Sequence, residues 1–432
     1  LENEELMLSC SFNQNRNLFT VGTENGLRVY KISMSNSSNL PKKKVSMEEQ
    51  QYFDPNTVRT EDNNIFGTGD NQQLVKDRER EDKNDWKEAK EPIDTIDGKG
   101  NLVAQLDYYE RRIDGGLSIV EMYYESNILI LVGGGKHPMK PKNRLIIWDE
   151  EHSSITNELV FTSLVKSVKL KKDILFVACE MKIDVINLLS LQLIDAVDIS
   201  QSQTINKGLF TINMIIGDTI LAYPDKTIGF VRIKKYDNSG SILLKSHDSI
   251  ISYMQLSEDG DLLATSAEKS AYIKIFRTID GAQLSKLALR KDLTNVCYML
   301  FDSQKKYLAV CGYEGTINIF NLDNTFINSK IMELESKHSY NQSAKFSSFG
   351  AKDILIDNSS SEINLRRKVF IQEEDAYSEF RIKNVRSICS FINGGQTLVV
   401  ISSEGVFYQA EIVAGRCEKT LEVGLNLIGL CQ

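Results

Sequence analysis

The feature that most constrains the fold is a short apolar strand pattern that recurs along the chain. Each copy alternates apolar and polar residues, as in GLRVYKI, RLIIWDE and YIKIFRT. The copies centre on Val29, Ile147, Val185, Val231, Ile275, Ile319 and Tyr408. Their successive separations are 118, 38, 46, 44, 44 and 89 residues. Four of these six match one repeat of roughly 40 residues, and the other two equal a repeat plus an insertion.

Each copy follows a partner strand such as LLATSA, YLAVCG or TLVVIS. Strands this short cannot bury both faces alone, so they must stack, and radial stacking of seven units closes a ring. We therefore predict an all-β, seven-bladed β-propeller of the WD40-like type as a single domain over residues 1–432. The alternative is a β-sandwich followed by another β domain, but unrelated domains would not keep one period from Val185 to Ile319.

Two segments interrupt the period. Residues 33–100 are rich in Ser, Asn, Lys, Asp and Glu, and this composition predicts a mostly disordered insertion between blades 1 and 2. Residues 323–374 carry apolar clusters between polar runs and are predicted to form a long loop in blade 6. Both insertions are expected to leave the ring itself unchanged.

Composition excludes several classes of protein. No apolar run approaches the roughly 20 residues that span a bilayer. The net charge of -8 argues against broad adsorption to nucleic acid, so any anion site must be local. The seven cysteines lack CxxC pairs and suit reduced thiols in a cytosolic protein. No basic segment followed by an apolar stretch opens the chain, and no signal peptide is expected.

Catalytic and metal-binding motifs are weak. The string GGGKHP, residues 133–138, lacks the outer glycine and the Ser or Thr of a phosphate-binding loop. The histidines are His137, His152, His247 and His338, and they lack a Cys or carboxylate at ligand spacing. No GxSxG string or matched nucleophile and base is present. We therefore predict a protein that is not an enzyme and has neither a cofactor nor a metal.

Several long strings resemble one known family. They include SFNQNRNLFTVGTENGLRVYKI in the first blade and RRIDGGLSIVEMYYESNILILVGGGKHPMKPKNRLIIWDEE in the second. Further matches are VKSVKLKKDILFVA, KSHDSIISYMQLSEDGDLLATSAEKSAYIKIF and YSEFRIKNVRSICSFINGGQTLVVISSEGVFYQAE. By these strings the chain resembles the PROPPIN family, propellers that recognise phosphatidylinositol 3-phosphate and the 3,5-bisphosphate in autophagy and endosomal traffic. A general WD-repeat propeller is the alternative.

The resemblance implies a lipid site at the end of blade 5. An inositol phosphate needs bidentate guanidinium groups and hydroxyls, and the family supplies two adjacent arginines in an FRRG motif. Aligned by the flanking strands, that motif corresponds to Ala288, Leu289, Arg290 and Lys291. In this alignment Leu289 replaces one arginine and Lys291 replaces the glycine, so the motif is partly eroded.

Other positions of the site are partly kept. The resemblance assigns lipid binding to Arg290 and Lys291 of the motif and, outside it, to His247, Thr265, Ser266 and Thr316. Hydroxyl residues of the family are lost at Ala267, Ala271, Cys311 and Gly312. One pocket would therefore lose its guanidinium, while the other would keep Arg290. Either some phosphoinositide binding survives, or the propeller has lost it and serves as a protein-interaction scaffold.

The resemblance also implies contacts outside the headgroup site. The long loop of blade 6 would insert apolar side chains into the membrane, here Phe326, Ile327, Ile331 and Met332. The alternative is a surface loop with incidental apolar residues. A first-blade FNQD turn of the family docks a rod-like lipid-transfer protein. Asn13 matches that turn, whereas Asn15 replaces its acid.

Together these features predict a monomeric adaptor. It would reside in the cytoplasm and associate peripherally with autophagosomal precursor, endosomal or vacuolar membranes through phosphoinositides. The expected partners are those membranes and an autophagy lipid-transfer protein, and no nucleic acid. The alternative is a scaffold without lipid binding.

Overall fold

The structure is a computed structural model in which the first strands of seven β-sheets surround one cavity. It describes residues 5–34, 87–89, 93–96, 102–202, 204, 207–215, 217–237, 240–289, 295–322, 354–356, 373–374, 378–382, 385–413, 416–425 and 427–428. Among these residues no helix has the length and hydropathy of a membrane span.

The first four blades follow one another along the chain, and each pairs its strands in antiparallel order. Blade 1 contains β1 (Glu5–Phe12), β2 (Leu18–Thr23), β3 (Gly26–Met34), β4 (Lys87–Ala89), β5 (Ile93–Ile96) and β6 (Leu102–Arg112). Blade 2 contains β7 (Leu117–Met122), β8 (Ile128–Gly133), β9 (Arg144–Asp149) and β10 (Ser154–Val160). Blade 3 contains β11 (Val165–Lys171), β12 (Ile174–Cys179), β13 (Lys182–Asn187) and β14 (Leu193–Asp198). Blade 4 contains β15 (Thr211–Ile212), β16 (Ile220–Pro224), β17 (Phe230–Lys235) and β18 (Ser241–Lys245).

Blades 5, 6 and 7 complete the ring. Blade 5 contains β19 (Ile251–Leu256), β20 (Leu262–Ala267), β21 (Tyr272–Arg277) and β22 (Gln283–Ala288). Blade 6 contains β23 (Val296–Phe301), β24 (Tyr307–Gly312) and β25 (Thr316–Asn321), and its fourth strand, β28 (Ser378–Arg381), follows β26 (Ile354–Ile356) and β27 (Glu373–Glu374). Blade 7 contains β29 (Ser387–Ile392), a 3₁₀ turn (Asn393–Gly395), β30 (Thr397–Ser402), β31 (Val406–Val413) and β32 (Arg416–Gly424). A last strand, β33 (Leu427–Ile428), runs parallel to β1.

The predicted seven-bladed propeller is confirmed. All seven predicted repeat strings fall on the third strand of a blade, namely β3, β9, β13, β17, β21, β25 and β31. The first strands of all seven blades contribute residues to one cavity of about 200 Å³, which is the central channel. Because one strand from every blade reaches this cavity, the sheets are arranged radially around it.

The core lies between neighbouring blades. In blade 1 the rings of Phe19 and Tyr30 stack with centroids 4.6 Å apart, and Phe407 of blade 7 lies 6.2 Å from Phe19. All three side chains are fully buried. The apolar residues that alternate along each strand therefore join one blade to the next, and this contact closes the ring between blades 7 and 1.

Short strands occur inside both predicted insertions. Within residues 33–100, β4 and β5 pair with β6 and extend the outer edge of blade 1. Within residues 323–374, β26 pairs with β18 of blade 4, and β27 pairs with β22 of blade 5. Most of both segments lies outside the described residues, so the predicted disorder of the first remains a prediction. Five cysteines are free thiols, namely Cys10, Cys179, Cys297, Cys311 and Cys389.

Candidate functional site

Two of the predicted lipid-binding residues, His247 and Thr265, lie in one polar group of blade 5. Strand β18 ends at Lys245, and Ser246 and His247 follow it into blade 5. The Nε2 atom of His247 lies 3.1 Å from the Thr265 hydroxyl and 3.2 Å from the Thr265 carbonyl oxygen. The Ser246 and Thr265 hydroxyl oxygens are 2.6 Å apart. The alignment by resemblance therefore brought together residues that are 18 positions apart in sequence.

His247 is buried rather than presented to solvent. Its exposed fraction is 4%. Burial, with a smaller contribution from the Lys274 charge, lowers the pKa of His247 to about 4. The imidazole is therefore neutral at pH 7 and orders Thr265, and it does not provide a positive charge for a headgroup in this state.

Ser266 and Thr316 are buried at separate places. The Ser266 hydroxyl lies 2.8 Å from the Ser252 hydroxyl and donates to the Tyr253 carbonyl oxygen at 3.3 Å. Thr316 begins β25 in the next blade, where it pairs with Arg381, and is 2% exposed. Among the described residues no hydrogen bond joins Thr316 to His247.

Lysines that the sequence interpretation missed surround the His247 group. The Lys274 ammonium donates to the Ser246 carbonyl oxygen at 2.7 Å. Burial lowers the pKa of Lys274, and the Lys286 and Lys245 charges lower it further against an opposing effect of Asp248. Three lysines from β18, β21 and β22 thus form a basic cluster. Each of these lysines alternates along its strand with apolar residues, so its side chain points away from the apolar face. This alternation is the sequence signal that could have identified them.

Two lysines of the basic cluster have partners of their own, one an acid and the other an aromatic ring. Lys245 Nζ lies 3.5 Å from the exposed Asp248 carboxylate. The ammonium of Lys286 lies 3.5 Å from the centre of the Tyr272 ring, a cation–π arrangement. These contacts hold two members of the group, which is named here the blade-5 lysine cluster (Lys245, Lys274 and Lys286).

Leu289 is buried in the apolar core. Its exposed fraction is 8%, and it packs in the core with Leu287 and Val296. Its backbone amide donates to the Ala271 carbonyl oxygen at 2.7 Å, which continues the strand pairing beyond β22. Arg290 and Lys291, which follow it, lie outside the described residues. The proposed inserting residues Phe326, Ile327, Ile331 and Met332 also lie outside them.

The two asparagines of the first-blade turn have different roles. Asn13 is 3% exposed, and its amide donates to Asn17 Oδ1 and the Tyr124 carbonyl oxygen. Asn15 is exposed and donates to Glu125 Oε1 at 3.2 Å. Asn13 therefore builds the turn and ties it to blade 2, and Asn15 is the residue of the pair that faces solvent.

The surroundings of His152 contradict the prediction that no histidine has a carboxylate at metal-ligand spacing. Ligand atoms of Asp149, Glu151 and His152 lie within 4.8 Å of one another. His152 Nδ1 is 2.6 Å from Asp149 Oδ2, and Asp149 Oδ1 accepts from Asn127 Nδ2 at 2.6 Å. The group lies in the turn after β9. Because of these hydrogen bonds, the Asp149 carboxylate already has partners within the protein.

The chain was compared with known proteins. The PROPPIN family model matches residues 102–418. SVP1-like protein 2 of Schizosaccharomyces pombe is 28% identical over 238 residues, which are 54% of this chain and 64% of that protein. Autophagy-related protein 18 of Dictyostelium discoideum is 24% identical over 323 residues, 73% of this chain and 85% of that protein. The first relatives in order of similarity are matched over 48% to 64% of their own length.

Solved structures share the fold. Hsv2 of Kluyveromyces marxianus superposes with a TM-score of 0.59 at 15% identity, covering 98% of this chain and 99% of that one. A second structure, the complex of KlAtg21 with the coiled-coil of AgAtg16, also gives a TM-score of 0.59 at 15% identity, covering 97% and 99%. The family model covers well over half of the chain, and the seven blades are present. This seven-bladed β-propeller belongs to the PROPPIN family.

Proposed function

We propose that the chain is an autophagy adaptor that binds phosphoinositide headgroups at the outer margin of blades 5 and 6. The observation that carries this function is the blade-5 lysine cluster beside the buried His247 and Thr265. A phosphorylated inositol needs cations held in fixed positions. Because the net charge of the chain is -8, the protein as a whole does not attract anions, and a local group of lysines must do so.

The burial of Leu289 supports a revised alignment of the motif. An arginine that reaches a rim pocket cannot share the environment of a residue that is 8% exposed in the core. Leu289 instead suits the apolar first position of FRRG. Arg290 and Lys291 then correspond to the two basic positions, and Asp292 corresponds to the glycine. In this alignment both cations remain.

The revised motif predicts weaker binding rather than none. Lysine carries the charge of an arginine but lacks its bidentate fork. A hydrogen bond to a charged group is worth roughly 1.5 to 3 kcal/mol, so the Lys291 position would cost about tenfold in affinity relative to arginine. Phosphatidylinositol 3-phosphate and the 3,5-bisphosphate are the proposed ligands on autophagosomal precursor, endosomal or vacuolar membranes. Phe326, Ile327, Ile331 and Met332 are proposed to insert there.

The proposed protein partners dock away from this margin. The exposed Asn15, beside Glu125, is proposed to contact a lipid-transfer protein at the turn between β1 and β2 of blade 1. A relative of the same fold, KlAtg21, is solved with a coiled-coil of AgAtg16. A coiled-coil segment is therefore a second proposed class of partner for this chain, which would act as a monomer.

A scaffold without lipid binding is the second candidate function. Large apolar side chains are exposed on the outer strands of blades 2 and 3, with Val160 at 64%, Leu193 at 57% and Ile194 at 50%. These blades lie across the ring from blades 5 and 6. Large apolar residues exposed on outer strands favour a protein contact, and such a contact does not depend on phosphoinositide.

Liposome flotation tests the proposed function. Phosphatidylcholine vesicles with and without phosphatidylinositol 3-phosphate are compared for the wild type, for Arg290→Ala with Lys291→Ala, and for Lys245→Gln with Lys286→Gln. Both double variants are expected to lose at least about tenfold in affinity. The matched control is Lys136→Gln with Lys142→Gln, which removes two exposed blade-2 lysines and should bind like the wild type.

Two results would contradict the proposal. Flotation of the wild type that ignores the phosphoinositide would favour the scaffold function. Equal losses in the blade-5 and blade-2 variants would show that net charge, rather than the blade-5 site, controls binding.

A further inference from the structure

The central channel carries charged side chains that the proposed phosphoinositide site does not use. Its cavity of about 200 Å³ is lined by at least one residue from the first strand of every blade. The titratable and charged side chains of the lining are Cys10 and Arg16 of blade 1, Glu121 of blade 2, Lys169 of blade 3, Tyr298 of blade 6 and Cys389 of blade 7. Blades 4 and 5 contribute the uncharged residues Ile212, Met214 and Gln255. The charge of the channel is therefore concentrated on one side of the ring.

Glu121 of β7 and Lys169 of β11 lie on the first strands of neighbouring blades. Both keep some accessible surface although they lie deep inside the ring, because they face the cavity. Burial lowers the pKa of Lys169, and the Glu121 charge opposes this effect. Burial raises the pKa of Glu121 to about 7, against the Lys169 charge and a hydrogen bond from Ser11. The two groups therefore attract each other across the cavity, and no ion pair joins them in the described part of the chain.

Several hydrogen-bond donors of the lining lack a protein partner. Among the residues that the structure describes, neither the Lys169 ammonium nor the Tyr298 hydroxyl is hydrogen bonded. The hydroxyl of Ser390, a residue that is 0% exposed, also has no partner there. A buried polar group costs free energy unless it is hydrogen bonded, and a buried charge costs more. A lining with unused donors and an ammonium without a partner favours an anion as its ligand.

Arg16 covers one end of this cavity. It belongs to the turn after β1, and its Nη1 atom donates to the Phe301 carbonyl oxygen of blade 6 at 3.0 Å. Its Nη2 atom lies 2.7 Å from Glu258 Oε1 of blade 5. Blades 5 and 6 are not neighbours of blade 1 in the ring, so this side chain spans the end of the channel. Because Glu258 neutralises Arg16, the charge that a ligand meets inside the cavity comes from Lys169 and Glu121.

We propose that the central channel binds a small oxyanion, which the Lys169 ammonium and the Tyr298 hydroxyl contact and to which the protonated Glu121 carboxyl donates a hydrogen bond. The cavity of about 200 Å³ is smaller than the roughly 300 to 1,000 Å³ of sites for drug-sized ligands. Its ligand is therefore an ion of the size of sulfate or phosphate. Hydrogen bonds from an ammonium to an oxyanion are among the strongest in proteins. This site is separate from the blade-5 lysine cluster and does not depend on the proposed function.

The protonation of Glu121 makes the binding depend on pH. Below pH 7 the carboxyl is mostly neutral and donates to the anion, and above pH 7 it is mostly ionised and repels the anion. The protonated fraction of a group with a pKa of about 7 falls about tenfold from pH 6 to pH 8, so the affinity should fall by about this factor. Burial raises the pKa of Cys10 and of Tyr298, and both stay neutral over this range.

Urea unfolding in sulfate tests the site. Sulfate replaces chloride at constant ionic strength, and its charge does not change between pH 6 and pH 8. The wild type should gain stability at pH 6 as the site fills, with an affinity about tenfold lower at pH 8. Lys169→Gln should lose at least about tenfold in affinity. The matched control is Lys166→Gln, which lies on the same strand, pairs with Glu180 at 3.2 Å and does not line the cavity.

Two further measurements distinguish this site from others. Glu121→Gln carries an amide that donates at every pH, so its affinity for sulfate should be the same at pH 6 and pH 8. Crystals grown with selenate should show the anion beside Lys169 by its anomalous scattering. Three results would overturn the proposal: an equal response to sulfate in Lys169→Gln and the wild type, loss of the response in Lys245→Gln with Lys286→Gln, or a channel that holds only water in the selenate crystals.

Discussion

Arg111 and Glu150 join the outer strand of blade 1 to the end of the third strand of blade 2. The Nε and Nη2 atoms of Arg111 donate to Glu150 Oε1 at 3.0 and 2.9 Å, and Trp148 Nε1 donates to Glu150 Oε2 at 2.8 Å. The Arg111 and Glu150 side chains are each 4% exposed. Both residues lie in the second-blade string that resembles the family. Their ion pair gives this part of the string a structural function.

Removing the arginine of this pair should destabilise the propeller strongly. Arg111→Met leaves the buried Glu150 carboxylate without its cation, and such a loss costs about 3 to 5 kcal/mol of unfolding free energy. Urea unfolding measures the change. Adding Glu150→Gln should recover part of the loss, because no buried charge then remains. The neighbouring Arg112, with a side chain 71% exposed, is the control, and Arg112→Met should change stability by no more than about 0.5 kcal/mol.

The buried His247 predicts acid sensitivity. Its folded-state pKa of about 4 lies below its ordinary value of 6.5, so the fold favours the neutral ring. The corresponding stabilisation is present above pH 6.5 and is lost as the pH falls towards 4, and its size is roughly 3 kcal/mol. Urea unfolding of wild type and His247→Asn between pH 7 and 4 should show a steeper loss for the wild type.

The exposed His137 provides the control for this titration. His137→Asn should follow the wild type across the same pH range. If the unfolding free energies of His247→Asn and the wild type fall in parallel with pH, protonation of His247 does not destabilise the fold, and the prediction is wrong.

Glu121 in the central channel predicts the opposite pH dependence. Burial raises its pKa from 4.5 to about 7, against opposing effects of Lys169 and a hydrogen bond to Ser11. Cys10 and Tyr298 line the same cavity. Because the folded-state pKa is the higher one, the stabilisation is present below pH 4.5 and is lost as the pH rises towards 7.

Stability measurements separate this effect from that of His247. Between pH 4.5 and 7, Glu121→Gln should gain stability relative to the wild type as the pH rises. Glu314→Gln, which alters an exposed acid on blade 6, should show no such trend. A constant difference between Glu121→Gln and the wild type over this range would contradict the raised pKa.

Local periodicity explains why the blades could be predicted. The strings around Val185, Val231, Ile275 and Ile319 alternate apolar and polar residues at a regular spacing, and each became the third strand of a blade. Alternation is a property of neighbouring residues, because successive side chains of a strand point to opposite faces. The number of blades therefore followed from the order of residues alone.

The direction of single side chains at the candidate site could not be predicted in the same way. A shift of one residue moves every side chain of a strand to the other face, and no local pattern indicated that Leu289 lies in the core. Its packing with Leu287 and Val296 determines that direction, and these contacts form only when blades 5 and 6 meet. The revised alignment of the basic motif is proposed for this reason.

The sequence by itself determined the propeller, its family and the approximate places of its insertions, since these depend on patterns within single repeats. Only the tertiary structure placed Lys245, Lys274 and Lys286 in one cluster and set β26 and β27 against blades 4 and 5. Those pairings join residues about 90 to 110 positions apart. Edge strands accept any suitable extended segment, so their partner depends on where the folded ring brings the chain.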